Sequence, residues 1–478
     1  MDEKSNERRK YVSPLSRRYA SEQMQYLFSE EKRILTWREL WIALAEAEMN
    51  AGLSVIKPVM IAEMKEHKNH IDWEFAAEKE KEIRHDVMAH VHAFGNVAPS
   101  AAGIIHLGAT SCFVTDNADL VIYRDALVLL HQRLLVVMKN LADFALKYKD
   151  LPTLGFTHFQ PAQPTTVGKR ATLWLYDFYV AAQEIEHIIK NLQFRGVKGT
   201  TGTQASFMTL FNNDEEIVKQ VDSQVAKKFG FENQIFPVTG QTYSRIEDVK
   251  IMNALTLVAS ASAKFAEDMR LLAHEKELQE PFGKNQVGSS AMPYKRNPMK
   301  SERVCSLARF LKNLTMNAQD THQHQWLERT LDDSANRRLT MPEAFLTSEA
   351  ITLLCSEITD GIVVNEDIIR KNLDEYAPFL LTEELMMRAT AKGSNRQDLH
   401  EKIREYSHAA MKNLQETGVN NLKQQLLKDS AFSEFKDLIE SEKIFTGRAA
   451  SQTLEFVTNV SEYIDKFGID SDAPETSV

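Results

Sequence analysis

Residues 249–272 read VKIMNALTLVASASAKFAEDMRLL, and their side chains are apolar or small nearly all the way round a helix. A surface helix keeps one polar face, so this one needs cover from neighbouring helices or from other subunits. Its small residues Ala259, Ser260, Ala261, Ser262 and Ala263 let backbones approach closely. The stretch lies inside a segment without glycine or proline from Gly240 to Pro281. Three more such segments run from Gly108 to Pro152, Gly168 to Gly196 and Pro298 to Pro342, rich in good helix formers. A helix of about 40 residues runs roughly 60 Å, which suits a long-helix bundle better than a compact α/β core.

Working outward, the sequence predicts an all-α protein of three helical domains. These are an N-terminal domain (1–111), a central long-helix bundle (112–364) and a C-terminal domain (365–478) beginning near Asn365. Short extended pieces are expected only near Leu154–Phe159 and Gly196–Phe207, where Gly, Thr and Pro break helical periodicity. There is no internal repeat and no low-complexity tract.

At 478 residues the chain exceeds what one core organises, and 43% apolar with 26% charged residues suits large cores under a soluble surface. The net charge of −10 argues against nucleic acid or an anionic membrane as partner. An anionic ligand must therefore be captured by a local cluster of Arg and Lys. Cys112, Cys305 and Cys355 are odd in number and widely spaced, which fits a reduced, cytoplasmic setting. The first ten residues are polar, without the apolar core of a secretory signal, and no apolar run approaches the ~20 residues needed to span a bilayer. The last four, Glu475–Val478, read as a disordered tail.

One loop carries chemistry. Residues 288–298, GSSAMPYKRNP, set two hydroxyls, two cations and an amide donor between glycine and prolines that forbid a continuous helix. Such a segment can close over an anion and press a serine against it. Four further segments join reactive groups at helix ends or breaks: Arg84-His85-Asp86, where Asp86 could orient an imidazole; Gly108-Ala109-Thr110-Ser111, just before a long helix; Thr157-His158 in a short break; and residues 328–338, ERTLDDSANRR, with Asp333 as an expected N-cap. Alone, each reads equally as a cap, a turn or a solvated charge run. For metals, His322 and His324 would point to different faces of a helix, and His67 and His70 lack an evident third ligand. No cofactor fingerprint is present, so neither cofactor nor metal is expected.

The segments recur in an order that resembles the fumarase/aspartase superfamily: GATS at 108–111 with Asp116-Asn117, GFTHFQPAQ at 155–163, and the 288–298 loop. Within it, RHDVMAH at 84–90, KGTTGTQ at 198–204, TLDDSANRR at 330–338 and FTGRA at 445–449 resemble the adenylosuccinate lyases of purine biosynthesis. The resemblance implies cleavage of adenylosuccinate to AMP and fumarate, and of succinylated imidazole carboxamide ribotide (SAICAR) to AICAR and fumarate. It implies Ser289 as the base, and Lys295 and Asn297 as stabilisers of the dianionic intermediate. His158 would be the general acid, oriented by Glu302, although His85 is an alternative donor. Thr110, Ser111, Thr157, Gln241 and Ser290 would hold the succinyl carboxylates. Arg18, Tyr19, Arg329, Ser334 and Arg338 would take the phosphate, His85, Asp86 and Arg303 the base, ribose or phosphate, and Arg84 would be a further substrate-binding residue. It also implies a homotetramer with a helical core and active sites shared between subunits. Two alternatives stay open: a sister lyase of the argininosuccinate, aspartase or fumarase type, which would not need the arginine cluster, or an inactive structural relative.

Overall fold

The computed structural model describes residues 9–441 and 443–469; the expectations for the extreme N-terminus and for Glu475–Val478 lie outside the described residues, apart from Arg9 and Lys10. The elements that build the site are, in chain order, α1 (Glu30–Asn50), α2 (Asp86–Val97) and α3 (Ser111–Lys147), then a hairpin of β1 (Pro152–Thr157) and β2 (Gln160–Thr166). There follow α4 (Val167–Asn191), α5 (Ile246–His274), α6 (Met299–Gln323) and α7 (Asp332–Asp360). The C-terminal part holds α8 (Glu366–Ala391), α9 (Arg396–Thr417) and α10 (Ala449–Phe467).

The glycine- and proline-free segments become α3, α4, α5 and α6 with the start of α7, and α3 alone runs 37 residues, about 55 Å. The five long helices α3 to α7 pack together around one apolar core. Helix α5 buries Ile251, Leu255, Val258, Phe265 and Met269, yet within one chain it is not covered all round. Asn253, Leu257, Ser260, Lys264, Glu267 and Leu271 recur at alternating spacings of four and three and stay exposed, Leu257 and Leu271 by 42% each. Leu173 and Tyr176 on α4 and Phe310 and Met316 on α6 are exposed as well. The cover that the sequence demands is thus half supplied by the chain itself.

The extended piece expected near 154–159 is the first strand of the hairpin. Thr157 pairs with Gln160, which leaves His158 and Phe159 as a two-residue turn with φ of 54° and 56°. Two successive left-handed residues match the twist of a tight hairpin, a conformation that strains side chains other than Gly or Asn. The second expected extended piece is absent. From 196 to 204 the chain is irregular, and Ala205–Leu210 is helical. The reason is Arg195, whose guanidinium takes the carbonyls of Gly196, Gly199 and Gln241 at 3.1, 3.0 and 2.8 Å. Those acceptors are unavailable to a neighbouring strand, and Gly196, Gly199 and Gly202 all adopt positive φ.

The bundle has two unlike ends. At one, α2, α3, α5 and α7 begin. At the other, α3, α5 and α7 finish, Thr153 of the hairpin meets Glu277 at 3.2 Å, and Gly361 lies against Pro281. Helix α6 starts at this second end, its first amides capped by Glu280. Beyond it, α8 and α9 share a second, smaller apolar cluster running from Leu385 to Ile439. Helix α10 returns to the bundle against α3 and α4, where His131 and Tyr463 hydrogen-bond at 2.9 Å. Among the described residues no helix is long and apolar enough to cross a membrane.

Candidate active site

At the first end, four helix N-termini converge, each bringing the positive end of its dipole. Thr110 is the N-cap of α3, with Ser111 at its first position. His85 caps α2, accepting from the Met88 amide through Nδ1, while its Nε2 lies 3.2 Å from Ser111 Oγ. Its Nδ1 is 3.8 Å from Asp86 Oδ1, so Asp86 does not orient the ring by a hydrogen bond. Asp86 instead accepts from Arg338 at 2.8 Å and from the Val87 amide at 2.8 Å. Burial raises its pKa, but these two partners hold the carboxyl below the ordinary range. Arg84 ends the preceding helix in the left-handed region.

Gln241 closes one side of this end: its backbone amide donates to Glu328 O at 2.9 Å, and its side chain donates to Thr200 O at 3.1 Å. Cys112 leans on the Gln241 side-chain oxygen at 3.6 Å, its thiol pushed up to about 11 by burial and so kept protonated. Beneath these groups lies a buried ionic network. Arg245 grips Asp116 and Asp333, and Asp333 in turn accepts from Arg329 at 2.7 Å. The expected N-cap role of Asp333 is therefore corrected: Leu331 occupies the cap position, and Asp333 sits inside α7, bound to two arginines. Ser334 follows it, and Arg338 is one turn further on. Arg18 and Tyr19 belong to the short turn of helix at Leu15–Tyr19, which packs against the same α7. The phosphate-type residues Arg329, Ser334 and Arg338 and the carboxylate-type residues Thr110, Ser111 and Gln241 thus gather at one end.

The remaining expected residues stand elsewhere. Ser289 lies in the irregular 281–298 segment, where its Oγ accepts from the amides of Met292 and Ala291 at 3.1 and 3.4 Å. Two backbone donors on one hydroxyl oxygen favour its anionic form. Asn297 donates to Gly288 O at 2.9 Å and ties the loop at its base. Gly288 has no substitute there, since a Cβ would fall 2.1 Å from Lys295 O. Ser290, Lys295 and Glu302 are exposed, and Arg303 is half-buried near the start of α6. His158 and Thr157 are exposed at the hairpin. No hydrogen bond or ion pair joins His158 to Glu302, Ser289 or His85 among the described residues.

One chain therefore brings together Arg84, His85, Asp86, Thr110, Ser111, Gln241, Arg329, Ser334 and Arg338, with Arg18 and Tyr19 carried on a turn against α7. It leaves Thr157, His158, Ser289, Ser290, Lys295, Asn297, Glu302 and Arg303 a helix length away, at the far end of a bundle whose α3 spans 37 residues. Reading the sequence alone misses Arg245 altogether, because its partners are remote in the chain. Among the described residues no group of three His, Cys, Asp or Glu side chains is placed to hold a metal ion.

Comparison with known proteins adds an independent finding. Residues 18–310 match the family model described as Lyase, and residues 378–466 match the one described as Adenylosuccinate lyase C-terminus. The chain is 47% identical over 465 residues to the adenylosuccinate lyase of Schizosaccharomyces pombe, covering 96% of both chains. It is 48% identical over 454 residues to that of Saccharomyces cerevisiae, covering 94% of both. A solved structure of 3-carboxy-cis,cis-muconate lactonizing enzyme from Pseudomonas putida shares the fold, with a TM-score of 0.81 at 23% identity over 94% of this chain and 98% of that one.

Proposed function

The chain belongs to the adenylosuccinate lyase family, and from that premise we propose that it eliminates fumarate from adenylosuccinate, giving AMP, and from SAICAR, giving AICAR. This is carbon–nitrogen lyase chemistry on small-molecule substrates, set in the cytoplasm. The observation that carries the reading is the convergence of four helix N-termini with Arg329 and Arg338. A succinyl nucleotide bears two carboxylates and a phosphate, and this end offers amides and hydroxyls for the first and guanidinium forks for the second. The arginines favour a phosphate-bearing substrate over those of sister lyases such as argininosuccinate lyase, aspartase or fumarase.

The chemistry follows from the groups. Removing an amine β to a carboxylate needs a base for a weakly acidic C–H and an acid for the departing nitrogen. Ser289 takes the proton, its alkoxide favoured by the Met292 and Ala291 amides and by Lys295. The aci-carboxylate dianion is held by Lys295, Asn297 and the loop amides. His158, turned by Glu302, protonates the leaving nitrogen. Since a helix length separates these groups from the Ser111 end of their own chain, each site is built on one chain and completed by others. His158 and Ser289 come from different subunits of a homotetramer, packed through the exposed faces of α4, α5 and α6. The chain divides at 111 and 364 into three helical domains, with α10 returning to the central bundle. The test is direct: purified protein mixed with adenylosuccinate, followed by ultraviolet absorbance. Conversion to AMP and fumarate is the expected result, and an inert protein would sink the reading in favour of a structural relative.

A further inference from the structure

Arg245 is almost completely buried at the start of α5, 1% exposed, as are Asp116 of α3 and Asp333 of α7, 1% each. Its guanidinium takes both oxygens of Asp116, through Nη2 at 3.0 Å and Nη1 at 3.2 Å. Its other edge takes Asp333 Oδ2, through Nη2 at 2.7 Å and Nε at 2.9 Å. The second oxygen of Asp333 receives Arg329 at 2.7 Å. The Asp116 carboxylate also accepts the Tyr243 amide at 3.0 Å, two residues beyond Gln241. The Tyr243 ring faces the guanidinium at 4.4 Å. A continuous chain of charge-assisted bonds thus runs from the helix that begins with Thr110-Ser111, through Arg245, to Arg329.

We propose that Arg245 is a positioning residue that sets the spacing and mutual aim of the carboxylate-binding and phosphate-binding halves of the site. The proposal rests on the reading that Thr110, Ser111 and Gln241 take the succinyl carboxylates and Arg329 the phosphate. A planar fork with fixed donor directions can address two carboxylates on two helices at once. A lysine ammonium keeps the charge but not those directions. Burial of all three groups leaves no water to replace a lost bond, so the geometry at Asp333 is passed on to Arg329 rather than absorbed by solvent. A parallel set of contacts keeps α3, α5 and α7 together when Arg245 changes: Arg337 bonds Asp248 at 2.6 Å, Asp119 at 3.0 Å and the Tyr243 hydroxyl at 2.6 Å.

The experiment compares full-length wild type, Arg245→Lys, Asp333→Asn, Arg329→Ala and the Asp333→Asn/Arg329→Ala double variant. AMP is the probe, its affinity measured calorimetrically so that turnover is not required. Steady-state cleavage of adenylosuccinate is followed in parallel. For Arg245→Lys, KM for adenylosuccinate and the dissociation constant of AMP should both rise about tenfold, the scale of one charge-assisted bond. Its kcat should stay within about threefold, because base and acid reside at the other end. Arg329→Ala should cost AMP affinity less in the Asp333→Asn background than in wild type. A residue that only stabilises the fold would lower the thermal midpoint and the active fraction and leave KM and AMP affinity unchanged, and that result overturns the proposal. So does strict additivity of Asp333→Asn and Arg329→Ala, which decides the matter even if Arg245→Lys does not fold. Wild-type turnover in the same series tests the functional reading separately: an inactive wild type with a coupled AMP site would remove the reaction and keep the positioning role.

Discussion

Where α2, α3, α5 and α7 begin, arginines and aspartates are buried against one another, and Arg245 spans two helices. Where the hairpin and the 281–298 loop stand, Lys295 and His158 are exposed on backbone that is irregular or turned through left-handed residues. The first end resembles a fixed die, with charges set before any ligand arrives. The second leaves its cation and its imidazole open to solvent. The contrast teaches how differently one chain treats its charges: at one end they are paired and buried, fixed before any ligand arrives, and at the other they stand exposed on loop and turn.

The strongest attempt to break this division removes the base. Ser289→Ala should lower kcat by roughly 10²–10⁴ or more, the range of a lost general base, with adenylosuccinate affinity held within about tenfold. Near-normal kcat would take the base assignment away. The same variant probes where the two ends meet. His158→Ala and Ser289→Ala chains, each inactive alone, should regain about one site in four when co-expressed, as random mixing at symmetric shared sites predicts. Mixed tetramers confirmed by mass that stay inactive would place both groups in one chain.

A smaller effect belongs to the fixed end. Arg329→Ala and Arg338→Ala should raise KM by about ten- to a hundredfold with little change in kcat, since phosphate contacts serve ground and transition states alike. A fall confined to kcat would contradict the division. Backbone mobility provides a third measure. Limited proteolysis should cut between residues 281 and 298 without ligand and slow severalfold with AMP plus fumarate, as closing lids do. Equal cutting in both conditions would mean the loop is not a lid.

A last prediction tests the pairing rule where it fails. Glu48 of α1 is fully buried, neither carboxylate oxygen has a hydrogen-bond partner, and burial pushes its pKa up to about 8. In the unfolded chain the group ionises near roughly 4.3. Between those values the folded protein holds one proton more, so stability falls as pH rises, by at most about 1.4 kcal/mol per unit. Glu48→Gln should match wild type in thermal midpoint near pH 4 to 5 and exceed it increasingly towards pH 8. A constant difference across that window would show that Glu48 is not held protonated.

The long helices are legible in the sequence because glycine and proline leave marks that periodicity then fills. The 288–298 loop is legible because its chemistry is contiguous. Arg245 is not, since Asp116 and Asp333 lie 129 and 88 positions away, and no local pattern announces a bond across that distance. Asp333 reads wrongly as a cap because an aspartate near a helix start looks the same whether it faces its own amides or a buried arginine. The 196–207 segment reads wrongly as extended for a kindred reason: the carbonyl acceptors that would pair a strand are taken by Arg195, which no window of neighbouring residues reveals.

Helix α3 is also a ruler. Its 37 residues fix how far the Ser111 end stands from the hairpin that follows. One residue inserted midway would advance everything beyond it by about 1.5 Å and turn it by about 100°, carrying buried Leu, Val and Met to the wrong side of the bundle. Helices α1, α4, α7 and α10 all pack directly along α3, so no single compensating insertion restores the register. Length can therefore change at low cost only in the connections between helices, while the packed helices from Ser111 to Asp360 accept substitution and not insertion.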